Sequence, residues 1–555
     1  MSRVRIQICD AEGGEREHHV HPGTTVAALL GDLRIAEQRI IAAVLNGHVV
    51  SLQTPLEGPT RLEPLDPDDP RSRGVLRRTM SHMLHAAAAA IAPEIHLCVG
   101  QSLLGGYFHE ILPGLPEGVS LEEFCERLNA ELTRMVEEDE AFEHREVPLE
   151  AALDALTDPF GSKARLLGAL AETRVRIVRL GDFCDLTHGT YAPSTSSGRG
   201  VSVCPYEPGL ILRFGPTEFE DPEGARRLWS CYRETREWNR HVEVSTVGAL
   251  NRAILDDRFA DVQRVAEALH ERKVAEIAGV LADRDQPPRL VFIAGPSSAG
   301  KSTFAKRLAV QLRVAGLHPE IISLDDFYRP RDECPRDETG DYDFEALEAL
   351  DVPRILNTFE RLVAGDRVIM PSFDFVRGRP RDLEDSPRLK LRDGGILLVE
   401  GIHGLNPILG AELDPKVVTR IYVNALTQLI IDEHNRIFTS DTRLLRRLVR
   451  DRRYRGTRAE ESLRRWPKVR EGERRHIFPF QSEADVMFNS ALVYEAPVLR
   501  TYAMRYLLEV PRELPERAEA IRLLRFLELF VPVLPDRVPP NSVLREFIGG
   551  SDFDY

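Results

Sequence analysis

The sequence predicts a multidomain chain whose second half is an α/β domain built on a parallel sheet, preceded by a small β-grasp domain and an α+β domain. Three observations carry this. From Arg289 onward, continuous apolar runs (RLVFIAG, EIISLDD, GGILLVEG, RIYVNA, ADVMFNSAL) alternate with helical stretches, the pattern of strands covered by helices on both faces. The first of these runs feeds a glycine-rich loop at residues 295–302, followed directly by a helix. At the other end of the chain, residues 1–66 read strand, strand, helix, strand. A length of 555 residues fits several domains of ordinary size.

Taken in order, VRIQICD (3–9) and Glu17–Val20 read as a hairpin around a Gly-Gly turn, and Thr24-Thr25 caps a short helix, VAALLGDL. IIAAVLNGHVV (40–50) reads as two strands turning at Asn46-Gly47. PLDPDDPRSRG (64–74) is a linker by composition. Residues 67–240 mix an apolar helix (75–92), a second helix (LEEFCERLNAELTRMVEED) and strands such as RIVRLGDF and GLILRFG, an α+β arrangement. Residues 241–287 read as a helical connector, with helix expected over 245–283. The parallel-sheet domain is placed at 288–505, and a helical extension at 506–555.

Composition narrows the classes. A net charge of −15 disfavours nucleic acid as a global partner. Seven scattered cysteines without a CxxC pair argue against a disulfide framework and fit a reducing cytosol. The N-terminal MSRVRIQICD is no signal peptide, and the longest apolar run, Ala86–Ala92, is too short to span a bilayer. The expectation is a cytoplasmic protein with no membrane partner.

The chemistry concentrates after residue 290. Gly295, Pro296, Ser297, Ser298, Ala299, Gly300, Lys301 and Ser302 spell G-x-x-x-x-G-K-S, followed by Thr303. Glycines let successive N–H groups face phosphate oxygens, and the helix that follows adds its positive end. In such a loop Lys301 reaches the β/γ-phosphates of ATP, and the Ser302 hydroxyl ligates Mg²⁺. EIISLDD ends in Asp325-Asp326, and GILLVE ends in Glu400. Acids at the carboxyl ends of parallel strands face the ligand crevice. Asp325 is placed to accept a hydroxyl proton, and Glu400 to hold Mg²⁺. Arg443, Arg446, Arg447, Arg450, Arg452, Arg453, Arg455 and Arg458 crowd one segment, with Arg443, Arg447 and Arg450 along one helical face. Arginines so placed stabilise a transferring phosphoryl group; a solvated salt-bridge face and an RNA-binding patch are the competing readings.

Together GPSSAGKS, SLDDFY (323–328), SFDF (372–375), LLVEGIHGL (397–405) and DTRLLRRLVRDRRYRG (441–456) resemble the uridine kinase/phosphoribulokinase family of P-loop kinases. The resemblance implies Asp325 as general base, Glu400 as the acid of the E-G motif, and Arg447, Arg450 and Arg455 as lid arginines, Arg455 on ATP. It implies an acceptor pocket containing Tyr328, Phe373, Asp374 and Phe375. Two base-reading positions of uridine kinases differ here, a Tyr replaced by Phe373 and a His replaced by Gly378, so phosphoryl transfer is better supported than uridine as acceptor.

Residues 1–65 resemble a TGS domain. Residues 75–240 resemble the second additional, editing-type domain of threonyl- and alanyl-tRNA synthetases. That family's C-x-x-x-H motif is present as Cys184 and His188, but its H-x-x-x-H motif is broken: His82 is followed by His85 and Ala86. The reading is a relic site; zinc held by His82, Cys184, His188 and His85 is the alternative. LREFIGGS (544–551) is expected to pack back onto the body. The sequence thus reads as an ATP·Mg²⁺-dependent kinase acting on a nucleoside or related sugar, with a homo-oligomer implied by the family likeness. One rival is an RNA-binding or nucleotide-sensing protein using its N-terminal domains; another is an ester hydrolase built on Cys184 and His188.

Overall fold

The computed structural model describes residues 3–9, 14–33, 39–215, 222–284, 286–338, 340–374, 377–381 and 386–554. Phe375 and Gly13 therefore lie outside the described residues.

The N-terminal module is a five-stranded sheet in the order Glu15–Val20, Val4–Cys9, Thr60–Leu65, Ala42–Leu45, His48–Val50. Val4–Cys9 and Thr60–Leu65 run parallel, and the remaining pairs antiparallel. Alternation puts Val4, Ile6 and Ile8 on one face, where they meet Val26, Leu29 and Leu30 of the helix Val26–Asp32. Thr25 caps that helix by accepting from the Ala28 N–H at 3.2 Å. The Asn46-Gly47 turn has positive φ at both residues, 47° and 85°, the two-residue turn whose twist matches its flanking strands.

In the second unit the helix Arg73–Ile91 lies against Leu121–Glu138 and two antiparallel sheets. Ser120 and Glu123 start the latter helix in capping-box spacing, with Ser120 Oγ accepting from the Glu123 N–H at 3.1 Å. Met83, Leu84, Ala87, Phe124, Leu128, Val178 and Leu210 share one core.

The α/β unit has a fully parallel five-stranded sheet in the order His318–Ser323, Gly395–Glu400, Leu290–Ala294, Val418–Asn424, Val486–Asn489. Leu290–Ala294 is central and wholly buried. Its side chains alternate between faces. Leu290 and Phe292 pack with Ile355, Phe359 and Leu362; Val291 and Ile293 pack with Phe304, Leu308, Val274, Ile277 and Leu281. That second set includes the helix Phe259–Ala282, so the stretch read as a connector covers one face of the sheet. It is also two helices rather than one. Val247–Leu255 and Phe259–Ala282 are separated at Asp256–Arg258, where Asp257 takes φ 58°, a left-handed conformation that Asp tolerates better than most residues.

The extension packs on the arginine-rich helix in a core of its own. Helices Glu495–Leu508 and Arg517–Glu528, with Leu544, Phe547 and Ile548, bury against Leu444, Leu445 and Leu448 of the arginine-rich helix Thr439–Tyr454. Residues 544–551 do pack back onto the body. The seven cysteines are all free. No helix among the described residues is long and apolar enough to cross a membrane.

Candidate active site

The phosphate loop leaves the central strand at Ala294 and enters the helix Lys301–Val314. Gly295 and Gly300 are required by geometry. Each has positive φ (155° and 84°), and a Cβ on Gly295 would sit 1.9 Å from the Val423 carbonyl oxygen. Ser298 is also left-handed, at φ 58°. Lys301 Nζ donates to the Pro296 carbonyl at 3.2 Å across the loop, and Thr303 is buried beneath it.

Parallel pairing of neighbouring strands brings their carboxyl ends to this loop. Glu400 Oε1 accepts from Ser302 Oγ at 3.3 Å and from Ser323 Oγ at 3.2 Å. Burial pushes the Glu400 carboxyl up to about 7, against the pull of Lys301. A hydroxyl and a half-buried carboxylate at the loop's rim are hard oxygen donors of the kind Mg²⁺ takes, and a cation there would offset the cost of charging Glu400. The two residues fit the ion.

Asp325 starts a short turn after Ser323, whose Oγ accepts from the Asp325 N–H at 3.2 Å. The residue is exposed; desolvation by the surrounding protein raises its carboxyl above the usual Asp range, while Lys301, Arg455 and Arg450 draw it back. The Tyr328 hydroxyl donates to the Phe344 carbonyl at 2.8 Å, and the Tyr328 and Phe373 rings lie 5.7 Å apart. Asp374 accepts from the Arg377 N–H at 3.0 Å and from the Gly378 N–H through its carbonyl at 2.7 Å. Gly378 thus closes a tight turn at φ 67°, a conformation that a histidine there would adopt only with strain.

The arginines divide into two sets. Arg443 and Arg446 are buried, and they serve the loop from below. Arg443 pairs with Glu473 through both nitrogens, one at 2.7 Å, and donates to the Ser297 carbonyl at 3.1 Å. Arg446 Nε donates to Glu495 at 2.6 Å, and its other nitrogens reach Ser298, Ser490 and the Ser490 carbonyl. The expectation of a single phosphate-facing row through Arg443 is corrected here, because a buried guanidinium needs its own carboxylate. For the same reason these two are not a solvated face. Arg447 donates to Ser297 Oγ at 3.0 Å. Arg447, Arg450 and Arg455 all share Asp451, at 3.3, 3.2 and 3.6 Å.

Glu345 carries no local motif in the sequence. It lies against Gly472 of the helix Ala459–His476, and burial pushes its carboxyl up to about 7, in the field of Arg447, Asp325 and Lys301. A folded-state value above the ordinary 4.5 means the folded chain binds a proton that the unfolded chain releases between about pH 4.5 and 7. Glu345 therefore costs stability as pH rises through that window. Glu345→Gln is expected to be more stable than wild type at pH 8 and similar at pH 4.5, as urea unfolding without added nucleotide would show.

The synthetase-like constellation does not converge. Cys184 belongs to an apolar cluster with Leu166, Val175 and Ile177. His82 is ringed by Phe142, Phe183 and Tyr191, and burial pushes it down to about 3. His85 lies over His434, ring centroids 4.0 Å apart. His188 reaches Asp432 at 3.3 Å. The zinc set His82, His85, Cys184 and His188 is therefore corrected. Among the described residues, the His/Cys/Asp/Glu group close enough to share an ion is Asp185, Asp432 and His434. A cation already sits there: Lys163 Nζ lies 2.9 Å from Asp185 Oδ1 and 2.9 Å from His434 Nδ1. Asp432, Glu433 and His434 come from the α/β unit. Ser162 donates to Glu433, and the Val99 N–H donates to the Glu433 carbonyl at 2.7 Å. A segment of the α/β unit thus fills the space these histidines face.

A glycine-built loop, strand-end acids and a basic helix thus meet at one edge of a parallel sheet. Residues 290–495 match the model of the Phosphoribulokinase / Uridine kinase family, so the C-terminal part of the chain carries a domain of that family. The N-terminal region matches threonine–tRNA ligases. The ligase of Thermotoga maritima is 28% identical over 195 residues, 35% of this chain and 29% of that one; that of Clostridium botulinum is 29% identical over 168 residues, 30% and 26% of the two chains. The chain thus spans less than a third of the length of these curated relatives. Among solved structures, a possible uridine kinase of Bacillus stearothermophilus is 19% identical, covering 39% of this chain and 98% of its own, at TM-score 0.24. D-glycerate 3-kinase of Cryptococcus neoformans is 14% identical, covering 40% and 89%, also at TM-score 0.24.

Proposed function

We propose that the chain transfers the γ-phosphoryl group of ATP to a hydroxyl of a nucleoside or related sugar. The observation that carries this is the gathering of Lys301, Asp325 and the Ser302–Glu400 pair at the carboxyl ends of adjacent parallel strands, with Arg447 of the arginine-rich helix on the Ser297 hydroxyl. The loop amides from Gly295 to Thr303 hold the phosphates, and Lys301 leaves the Pro296 carbonyl for the β/γ oxygens. Ser302 and Glu400 would hold Mg²⁺, which would supply positive charge to the phosphate oxygens. Asp325 accepts the acceptor's hydroxyl proton as its oxygen attacks phosphorus and the bond to ADP breaks. Arg447, Arg450 and Arg455 neutralise the moving charge, with Asp451 holding them together. Tyr328, Phe373 and Asp374 line the acceptor pocket in this reading. Its aromatic pair suits the flat face of a base or sugar ring. A panel of nucleosides and sugars, with products identified by mass spectrometry, names the acceptor. Phosphorylation of none of them, by a protein that binds ATP, would remove this acceptor class.

A second reading, an RNA-binding or nucleotide-sensing protein, draws on the ligase-like N-terminal region. It is also favoured by the segment Asp432–Asn435, which ties that region to the chain just before the arginine-rich helix at Thr439. It expects salt-sensitive RNA binding; binding that is absent at low salt removes it.

A further inference from the structure

The segment Val543–Gly549 crosses the start of the phosphate-loop helix. Val543 packs directly on the loop: a Cβ on Gly300 would lie 2.4 Å from Val543 Cγ2. The Phe547 ring lies under the Arg446 guanidinium, 5.2 Å from its centre, and Arg446 in turn reaches the Ser298 carbonyl at 3.4 Å. Between these anchors stands Glu546, 8% exposed. Its Oε2 accepts from Thr303 Oγ1 at 2.6 Å and from the Thr303 N–H at 3.4 Å. Further along, Lys306 donates to the Asp554 carbonyl, holding the chain to the next turn of the same helix.

The Thr303 N–H lies in the first turn of that helix, at the end that carries its positive pole. In a phosphate loop the amides at this end cradle the nucleotide's phosphates. A carboxylate on the same amide and the adjoining hydroxyl is an anion in a phosphate's place, and two anions do not share one donor pair.

We propose that Glu546 is a residue of the nucleotide site: its carboxylate competes with a phosphate of ATP for the Thr303 amide and hydroxyl, so that the segment Val543–Gly549 gates nucleotide binding. ATP binds when the segment lifts, and the packing of Val543 and Phe547 sets the cost of lifting it. The inference rests on the kinase reading of the loop, and it adds that this chain restrains its own nucleotide affinity.

The test is calorimetric binding of ATP·Mg²⁺ to the full chain, to Glu546→Gln and to Lys301→Ala. Glu546→Gln removes the competing charge and is expected to bind roughly tenfold more tightly than wild type. Hydrogen exchange on the wild-type chain gives a readout that needs no variant. Saturating ATP is expected to speed exchange of amides 543–549. Equal or weaker binding by Glu546→Gln, beside Lys301-dependent binding by wild type, overturns the gate and leaves the kinase reading intact. Unchanged exchange at 543–549 with ATP bound overturns it equally. If neither wild type nor Glu546→Gln binds ATP while both are folded, the kinase reading fails and the gate falls with it.

Discussion

Asp325→Asn is expected to cut turnover by about 10²- to 10⁴-fold while ATP·Mg²⁺ binds at least as well as before. Desolvation raises the carboxyl, and Lys301, Arg455 and Arg450 draw it back toward its charged form. Asparagine keeps the shape and the turn anchored on Ser323, but its amide cannot take the proton that the acceptor hydroxyl releases. The loss should appear in kcat and kcat/KM together, because proton transfer occurs only on the way to the transition state. A variant that turns over normally would show that Asp325 is not the base.

Glu473→Gln is expected to destabilise the chain by about 3–5 kcal/mol. Glu473 is fully buried, and it is the carboxylate that neutralises the buried Arg443. It also accepts from the Ser297 N–H at 3.2 Å, and Arg443 donates to the carbonyl of the same residue. The pair therefore grips residue 297 of the phosphate loop from both sides of its backbone. Removing the charge leaves a guanidinium in low dielectric with no counter-ion. Denaturant unfolding should show the loss, and ATP affinity should fall with it. The double substitution Arg443→Met with Glu473→Leu should be less unstable than Glu473→Gln alone, since no uncompensated charge remains. Equal stability of Glu473→Gln and wild type would mean that Arg443 finds another partner.

These two residues also mark how far the sequence could be read. Asp325 was legible because its signal is local: an apolar strand, then an acid at its end. The loop from Gly295 to Ser302 and the acid Glu400 were legible for the same reason, as was the alternation of strands and helices that gives the parallel sheet. Glu473 was not. It lies in REGERRH, a charged stretch that reads like any solvated helix face, and becomes a site residue only because two helices place it against Arg443. Glu345 and Glu546 are of the same kind, reaching the site from 20 residues after Asp325 and from 243 residues after Thr303. The arginine count was visible, but which arginines are buried was not. Burial depends on carboxylates supplied from elsewhere in the chain. The histidine motif points to the same limit. Spacing showed that it was broken, but only the fold shows Asp432 and His434 of another unit meeting Lys163 and Asp185 there.

The most direct test of the central claim is transfer of labelled γ-phosphate from ATP to a nucleoside or sugar acceptor by the full chain, beside Lys301→Ala and Asp325→Asn. Acceptor-dependent label transfer that both substitutions abolish, with Asp325→Asn still binding ATP, is the predicted result. Transfer that survives Lys301→Ala, or ATP binding with no transfer to any acceptor offered, would contradict it.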